Sequence, residues 1–176
     1  MQRAILKGKA QLDKIKNSFL SLKRLKKLSH LFIRLIYLFI QDCENDIIPN
    51  VLEAMTQGDL EILQDWCYEG PFNILADPIR KAKQMGCYFD SQILDIENID
   101  LAMGKMMEQG PVLVITFQSQ QVLCVRNSKH EVVEGDPEKV MRIAYVWVLC
   151  RDQTELDPTA AWRLLELSAQ PTEQFL

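Results

Sequence analysis

Apolar residues recur at helical spacing through the first forty positions. Ile5, Leu12, Ile15, Phe19 and Leu22 are followed by Leu25, Leu28, Phe32, Leu35 and Phe39, mostly at steps of three and four. Lys9, Lys16 and Lys23 repeat on another face. The pattern predicts one or two basic amphipathic helices over residues 5–40. Three shorter helices follow. One begins near Pro49, where proline suits a first turn, and stops at Gly58. Asp59 caps the next, which ends at Gly70; Pro71 opens a third that runs to about Gln84, with Gly86 as its stop. Beyond Gly86 the period drops to two. "CYFDSQILDIEN" predicts a strand, and Gly110 to Asn127 is a long β-branched run. "NSKH" is hairpin-turn chemistry, and Gly135-Asp136-Pro137 predicts a second turn. In "MRIAYVWVLCRD" the residues Ile143, Tyr145, Trp147 and Leu149 share one face. After the Asp157-Pro158 break, "AWRLLELSA" predicts a last strand in preference to a short helix. Helices first and antiparallel strands afterwards give an α+β fold, with the helices on one face of a curved sheet.

Charge divides the chain where the pattern does. Residues 1–40 hold ten Lys and Arg and one acid, Asp13, for +9; residues 41–176 hold ten and 23, for −13. The net −4 describes neither part. A basic lead-in implies an anionic partner, lipid or nucleic acid, while the acidic body argues against nucleic acid. With 176 residues and 48% hydrophobic content, the chain can bury its own core.

Three readings of residues 1–40 fit the pattern. One is a helix packed on its own domain with a solvated lysine face. A second is a membrane-surface helix, in which each lysine near anionic headgroups contributes about 1 kcal/mol. The third is a mitochondrial targeting segment, which the excess of lysine over arginine suits less well. On the membrane reading the contacting residues are Lys9, Lys16, Lys23, Arg24, Lys26, Lys27, Phe32, Leu35 and Phe39. The apolar stretch Leu31 to Ile40 is interrupted by Arg34 and falls short of the roughly 20 residues a spanning helix needs. No small-residue cleavage site follows it, so it is not a clean secretory signal.

The five cysteines, Cys43, Cys67, Cys87, Cys124 and Cys150, are odd in number and widely spaced, without C-x-x-C. Four have apolar or aromatic neighbours and read as small buried thiols in a reducing compartment. With only His30 and His130 to add, no metal site is expected. Neither phosphate-cradling glycine motif occurs, nor a nucleophile elbow, and no cofactor is implied. Asp95, Glu97 and Asp100 could supply a general base if the sheet enclosed them. Most acids of such a body face solvent. A curved sheet under helices tends to leave an apolar pocket, for which Trp66, Tyr68, Ile115, Phe117, Tyr145 and Trp147 are candidate lining; large aromatics are also the ordinary filling of a core.

"CENDIIPNVLEAM", "DWCYE", "LAMGKMMEQGPVLVITFQ", "VVEGDPEKV", "YVWVLCRDQ" and "AAWRLLELSA" occur in this order. Together they resemble the C-terminal domain of the family of mitochondrial inner-membrane translocase subunit forty-four, the import-motor tether. The resemblance covers residues 41–176, which sets a domain there behind a lead-in of residues 1–40. It implies a cone like nuclear transport factor two: N-terminal helices on a strongly curved antiparallel sheet around an apolar pocket. It also implies a non-enzymatic scaffold, peripheral on the matrix side of the mitochondrial inner membrane, with affinity for cardiolipin. Its partners would be presequence translocase subunits, precursor polypeptides and the matrix seventy-kilodalton heat-shock chaperone, whose binding region in the family lies largely upstream of this domain. Residues 1–40 keep a basic amphipathic chemistry without the family's familiar residues. Two alternatives stay open: a small-molecule enzyme or ligand carrier using the pocket, and a membrane anchor of the mitochondrial ribosome with a similar domain.

Overall fold

The computed structural model describes residues 28–157 and 161–172. Helix α1 (Leu28–Asp42) passes through a single π-helical turn (Cys43–Ile47) directly into α2 (Ile48–Gln57). The sequence-based start near Pro49 is therefore a change of winding within one continuous helix. Pro49 cannot donate to the carbonyl four residues back, and its ring would crowd that carbonyl. The turn before it is wider: the Ile48 N–H bonds the Cys43 carbonyl, five residues back. Asn45 and Asn50 side-chain amides donate to the carbonyls of Gln41 and Asp46, both at 2.8 Å. The extra residue keeps Phe39 and Cys43 on the same buried side as Ile47, Ile48, Val51 and Leu52.

Gly58 ends α2 in the left-handed conformation, at φ 70°. Asp59 then caps α3 (Leu60–Trp66), its Oδ1 accepting from the N–H groups of Glu61 and Ile62. The open carbonyls at the end of α3 are met by Arg163, whose Nη2 donates to Gln64 O at 2.9 Å and Cys67 O at 2.8 Å. Cys67 forms a parallel bridge with Leu164, so this short link lies beside the last strand. Helix α4 (Glu69–Gln84) carries Pro71 in its first turn but begins two residues before it, so Gly70, the expected end of the preceding helix, lies inside α4, and α3 stops earlier, at Trp66.

Strands β1 (Tyr88–Phe89), β2 (Gln92–Met107), β3 (Gly110–Arg126), β4 (Val132–Arg151) and β5 (Trp162–Thr172) form one antiparallel sheet. β2 to β5 run as a meander, and β1 pairs with the far end of β3. Two expectations change here. The first predicted strand is split at Asp90-Ser91 into β1 and β2, and β2 continues through Gly104-Lys105. The expected turn at Gly135-Asp136-Pro137 is a bulge inside β4: the register shifts between Val122 and Cys124, with Gly135 at φ 83°. Gly-Asp-Pro is turn chemistry locally, but the paired strand β3 holds the chain extended. Further register shifts in β2 and between β4 and β5 bend the sheet strongly.

The concave face supplies the core. Ile115 and Phe117 of β3 and Ile143, Tyr145, Trp147 and Leu149 of β4 are buried against α1, the π turn and α2. The ring of Phe117 stacks on Tyr145 at 4.9 Å and meets Trp147 edge-on at 4.8 Å. The result is the expected α+β architecture, helices on a strongly curved antiparallel sheet.

Candidate functional site

The outward side of α1 is unusually apolar. Leu35 (56% exposed), Tyr37 (60%) and Leu38 face solvent beside Arg34, whereas Phe39 is 6% exposed and packs its ring on Trp162 at 4.9 Å. Leu35 and Phe39 are one turn apart on the same stripe. The stripe is thus covered by the body at Phe39 and open to solvent at Leu35. Phe39, a candidate membrane contact, belongs to the core and cannot meet lipid. Leu35 is open to solvent, and Phe32 falls within α1. Lys9, Lys16, Lys23, Arg24, Lys26 and Lys27 lie outside the described residues. Residue 40, the sequence-based boundary, falls inside α1.

The second feature is a cleft of about 580 Å³ between the helices and the bulged limb of β3 and β4. Leu52 and Met55 of α2 and Ala82 of α4 form one wall; Phe89, Leu123 and Met141 continue it on the sheet side. Glu134, Asp136 and Lys139 stand at its edge, exposed. Gln121 and Tyr145 lie on its floor, where Gln121 Nε2 donates to Ser119 Oγ at 2.6 Å and to the Tyr145 hydroxyl at 3.1 Å. Burial pushes the Tyr145 phenol above its ordinary pKa, against the pull of its bonds to Gln121 and Ser119, so it stays protonated near neutral pH.

Of the six residues expected around a pocket, Tyr145 lines this one. Ile115, Phe117 and Trp147 are buried in the core, where the largest side chains fill the concavity under the helices. Trp66 packs half-buried against that core, and Tyr68 sits under the Arg163 guanidinium, 5.2 Å from the ring centre. The polar floor was legible in part: Ser119 and Gln121 fall on the inward alternation of a β-branched run. The carboxylates Asp95, Glu97 and Asp100 are on β2 and none lines the cleft. Glu97 pairs instead with Arg142 at 2.9 Å, and Asp95 Oδ1 accepts from the Ile96 N–H.

β1 closes one side of the cleft and is fastened at both ends. The Tyr88 hydroxyl bonds His130 Nδ1 at 2.7 Å, and Asp90 pairs with Arg126. A side-chain carbon on Gly58 would stand 2.9 Å from the Phe89 ring, so glycine there lets this wall approach α2.

The model of the Tim44-like domain matches residues 37–169. Mitochondrial import inner membrane translocase subunit TIM44 of Homo sapiens is 68% identical over 138 residues, covering 78% of this chain and 30% of the relative. The probable subunit tin-44 of Caenorhabditis elegans is 46% identical over 137 residues, covering 76% and 32%. The Saccharomyces cerevisiae TIM44 is 31% identical over 142 residues, covering 78% and 33%. The chain spans about a third of the length of these curated relatives. Among solved structures, the intermembrane space region of the chloroplast protein ARC6 aligns with a TM-score of 0.55 at 14% identity, covering 73% of this chain and 95% of that one. That likeness is one of fold alone. By domain match and by sequence identity, this chain belongs to the Tim44-like domain family.

Proposed function

We propose that the chain is a non-enzymatic, peripheral scaffold of the mitochondrial presequence import machinery, held on the matrix face of the inner membrane by anionic, cardiolipin-containing lipid. In this role it ties the matrix seventy-kilodalton heat-shock chaperone to presequence translocase subunits and lies beside incoming precursor polypeptides. The names of its relatives support the machinery. The membrane part rests on α1, whose apolar stripe loses its cover at Leu35 while Arg34, Tyr37 and Leu38 stand exposed around it. The described helices include none long and apolar enough to cross a membrane, and surface attachment uses this kind of face: shallow apolar insertion beside cationic side chains. Charge gives the attachment its direction. Residues 41–176 carry −13 and are repelled by an anionic bilayer, so the +9 of residues 1–40 turns the α1 end towards it.

The machinery reading is tested by expressing the tagged full chain in cells, solubilising mitochondria gently and isolating what it holds. Translocase subunits and the matrix chaperone should co-purify with it. Translocase without chaperone would keep the scaffold and remove the motor tether. Co-sedimentation with mitochondrial ribosomes in place of the translocase would replace the reading with a ribosome anchor.

A further inference from the structure

The two ends of the sheet carry different chemistry. At one end β2 turns into β3 through Glu108 and Gln109, and Gly110 lies against the carbonyl of Arg151, where β4 ends opposite Trp162 of β5. The long helix reaches this same end: Phe39 packs on Trp162, and Leu35 lies one turn further out. Its other terminus is at the far end, because Gly58 stands beside Phe89 of β1, which pairs with Val125 of β3. We infer that the protein stands end-on on an anionic bilayer, with Met106 and Met107 at the tip of the β2–β3 hairpin entering the lipid as a second contact beside α1. This rests on the membrane attachment proposed above and adds to it a second contact and the orientation that two contacts enforce.

Met106 is 72% exposed and Met107 40%. Successive residues of a strand point to opposite faces, so a tip at which both are open extends past the body on both sides. A single exposed apolar side chain is ordinary. This pair differs in sharing its end of the molecule with Leu35, Tyr37 and Leu38 of α1. Methionine is unbranched and polarizable, which suits an irregular surrounding such as the boundary of headgroups and acyl chains. Lys105 is exposed beside the pair, and its stem can lie along the tip while its ammonium meets a phosphate. Leu156, in the β4–β5 connection, is more exposed still but stands between Glu155 and Asp157. An anionic surface repels that loop, which leaves the methionine pair as the partner of α1.

Charge orders the two ends. Glu131, Glu134, Asp136 and Glu138 are all exposed on the far limb of β3 and β4, whereas the basic lead-in enters the fold through α1 at the hairpin end. A bilayer of negative charge therefore draws the hairpin end and repels the far limb. A lone helix lying in the interface leaves the body free to roll about the helix axis. A second insertion point off that axis removes the freedom and keeps the far limb in water.

Methionine oxidation reads this orientation on the unaltered full chain. Met85, 71% exposed where α4 ends ahead of β1, is the internal reference at the far end. The chain is treated with dilute hydrogen peroxide, free and bound to cardiolipin-containing vesicles, and sulfoxide at each methionine is measured by mass spectrometry. Free in solution, Met85 and Met106 should oxidise at similar rates. On vesicles Met106 should slow about fivefold or more, and Met85 should not change. Met106→Ser/Met107→Ser should lose roughly tenfold in vesicle affinity and Met85→Ser should lose none, with thermal melts confirming that each variant folds. Equal oxidation of Met85 and Met106 on vesicles that float the chain would refute the hairpin contact and leave attachment through α1 standing. Slowing at both methionines would refute the end-on pose, because lipid would then cover both ends. A chain that does not float at all would overturn the attachment itself, and the pose with it.

Discussion

Replacing Gly135 with alanine tests whether the bulge in β4 is a necessity of packing. Gly135 has φ 83°, and an added Cβ would run into the carbonyl oxygen of Leu123 and lie 2.8 Å from its carbonyl carbon. Placing a non-glycine residue in left-handed backbone costs about 1–2 kcal/mol. The overlap is with backbone, so no side chain can turn aside to relieve it. β3 and β4 must separate beyond the bulge, where their register pairs are Cys124 with Gly135, Val125 with Glu134, and Arg126 with Val132. Losing the hydrogen bonds of this limb at roughly 1 kcal/mol each, on top of the backbone term, gives a destabilisation of about 4 kcal/mol. Gly86 is the control, because its φ is 71° and nothing lies within 4 Å of a Cβ there. Gly86→Ala should therefore show the backbone term alone. Urea denaturation followed by tryptophan fluorescence reads both, since Trp147 is in the core. If Gly135→Ala cost no more than Gly86→Ala, the steric argument and the bulge geometry would both be wrong. A variant that folds with an opened limb should also lose the cleft, because Leu123 and Gly135 both line it.

Three further expectations follow from the core and its titrating groups. Trp147 is fully buried and its Nε1 has no hydrogen-bond partner among the described residues; Trp147→Ala should cost about 3–5 kcal/mol in denaturant melts, and Trp147→Phe clearly less, because it removes an unpaired donor along with the volume. Burial pushes the Cys43 and Cys67 thiols up to about 12, which leaves ~10⁻⁴ as thiolate near pH 8, so mass spectrometry should find iodoacetamide on the partly exposed Cys87 well before either. Burial and the neighbouring Asp46 raise the Asp42 carboxyl, so its stabilising contribution is present below the ordinary carboxylate range and is lost as pH rises through its folded value; Asp42→Asn should raise the melting temperature near pH 7 and leave it unchanged near pH 3.

Locally encoded elements were legible in the sequence. Gly58 stopping α2, Asp59 capping α3, Pro71 opening α4 and the inward set Ile143, Tyr145, Trp147 and Leu149 each depend on a few neighbouring residues. What was not legible depends on distant partners. Gly135-Asp136-Pro137 reads as a turn until β3 is laid beside it. Pro49 reads as a helix start until the helix before it is seen to run on, with a wider turn at Cys43–Ile47. The candidate pocket failed for a related reason: sequence shows which side chains are large and apolar, but the tightest part of the concavity takes those first. The cleft was left to smaller and more flexible residues drawn from α2, α4 and three strands, from Leu52 to Tyr145. On α1 the apolar stripe was legible. Where its cover ends, between Phe39 and Leu35, was not, because that is set by Trp162 at the start of β5.

The central claim is that the uncovered face of α1 and the basic lead-in hold this chain on an anionic membrane. The direct measurement is flotation of the full chain with cardiolipin-containing vesicles, beside Leu35→Ser/Tyr37→Ser/Leu38→Ser and beside Lys23→Glu/Lys26→Glu/Lys27→Glu, at low and physiological salt. Cutting the chain at residue 41 would instead remove Phe39 from the core and confuse folding with binding. The full chain should float, both variants should stay in the soluble fraction, and salt should weaken what binding remains. Equal flotation of all three proteins would place the lipid contact on the body, and no flotation by any would leave the membrane location to protein partners; either result contradicts the account.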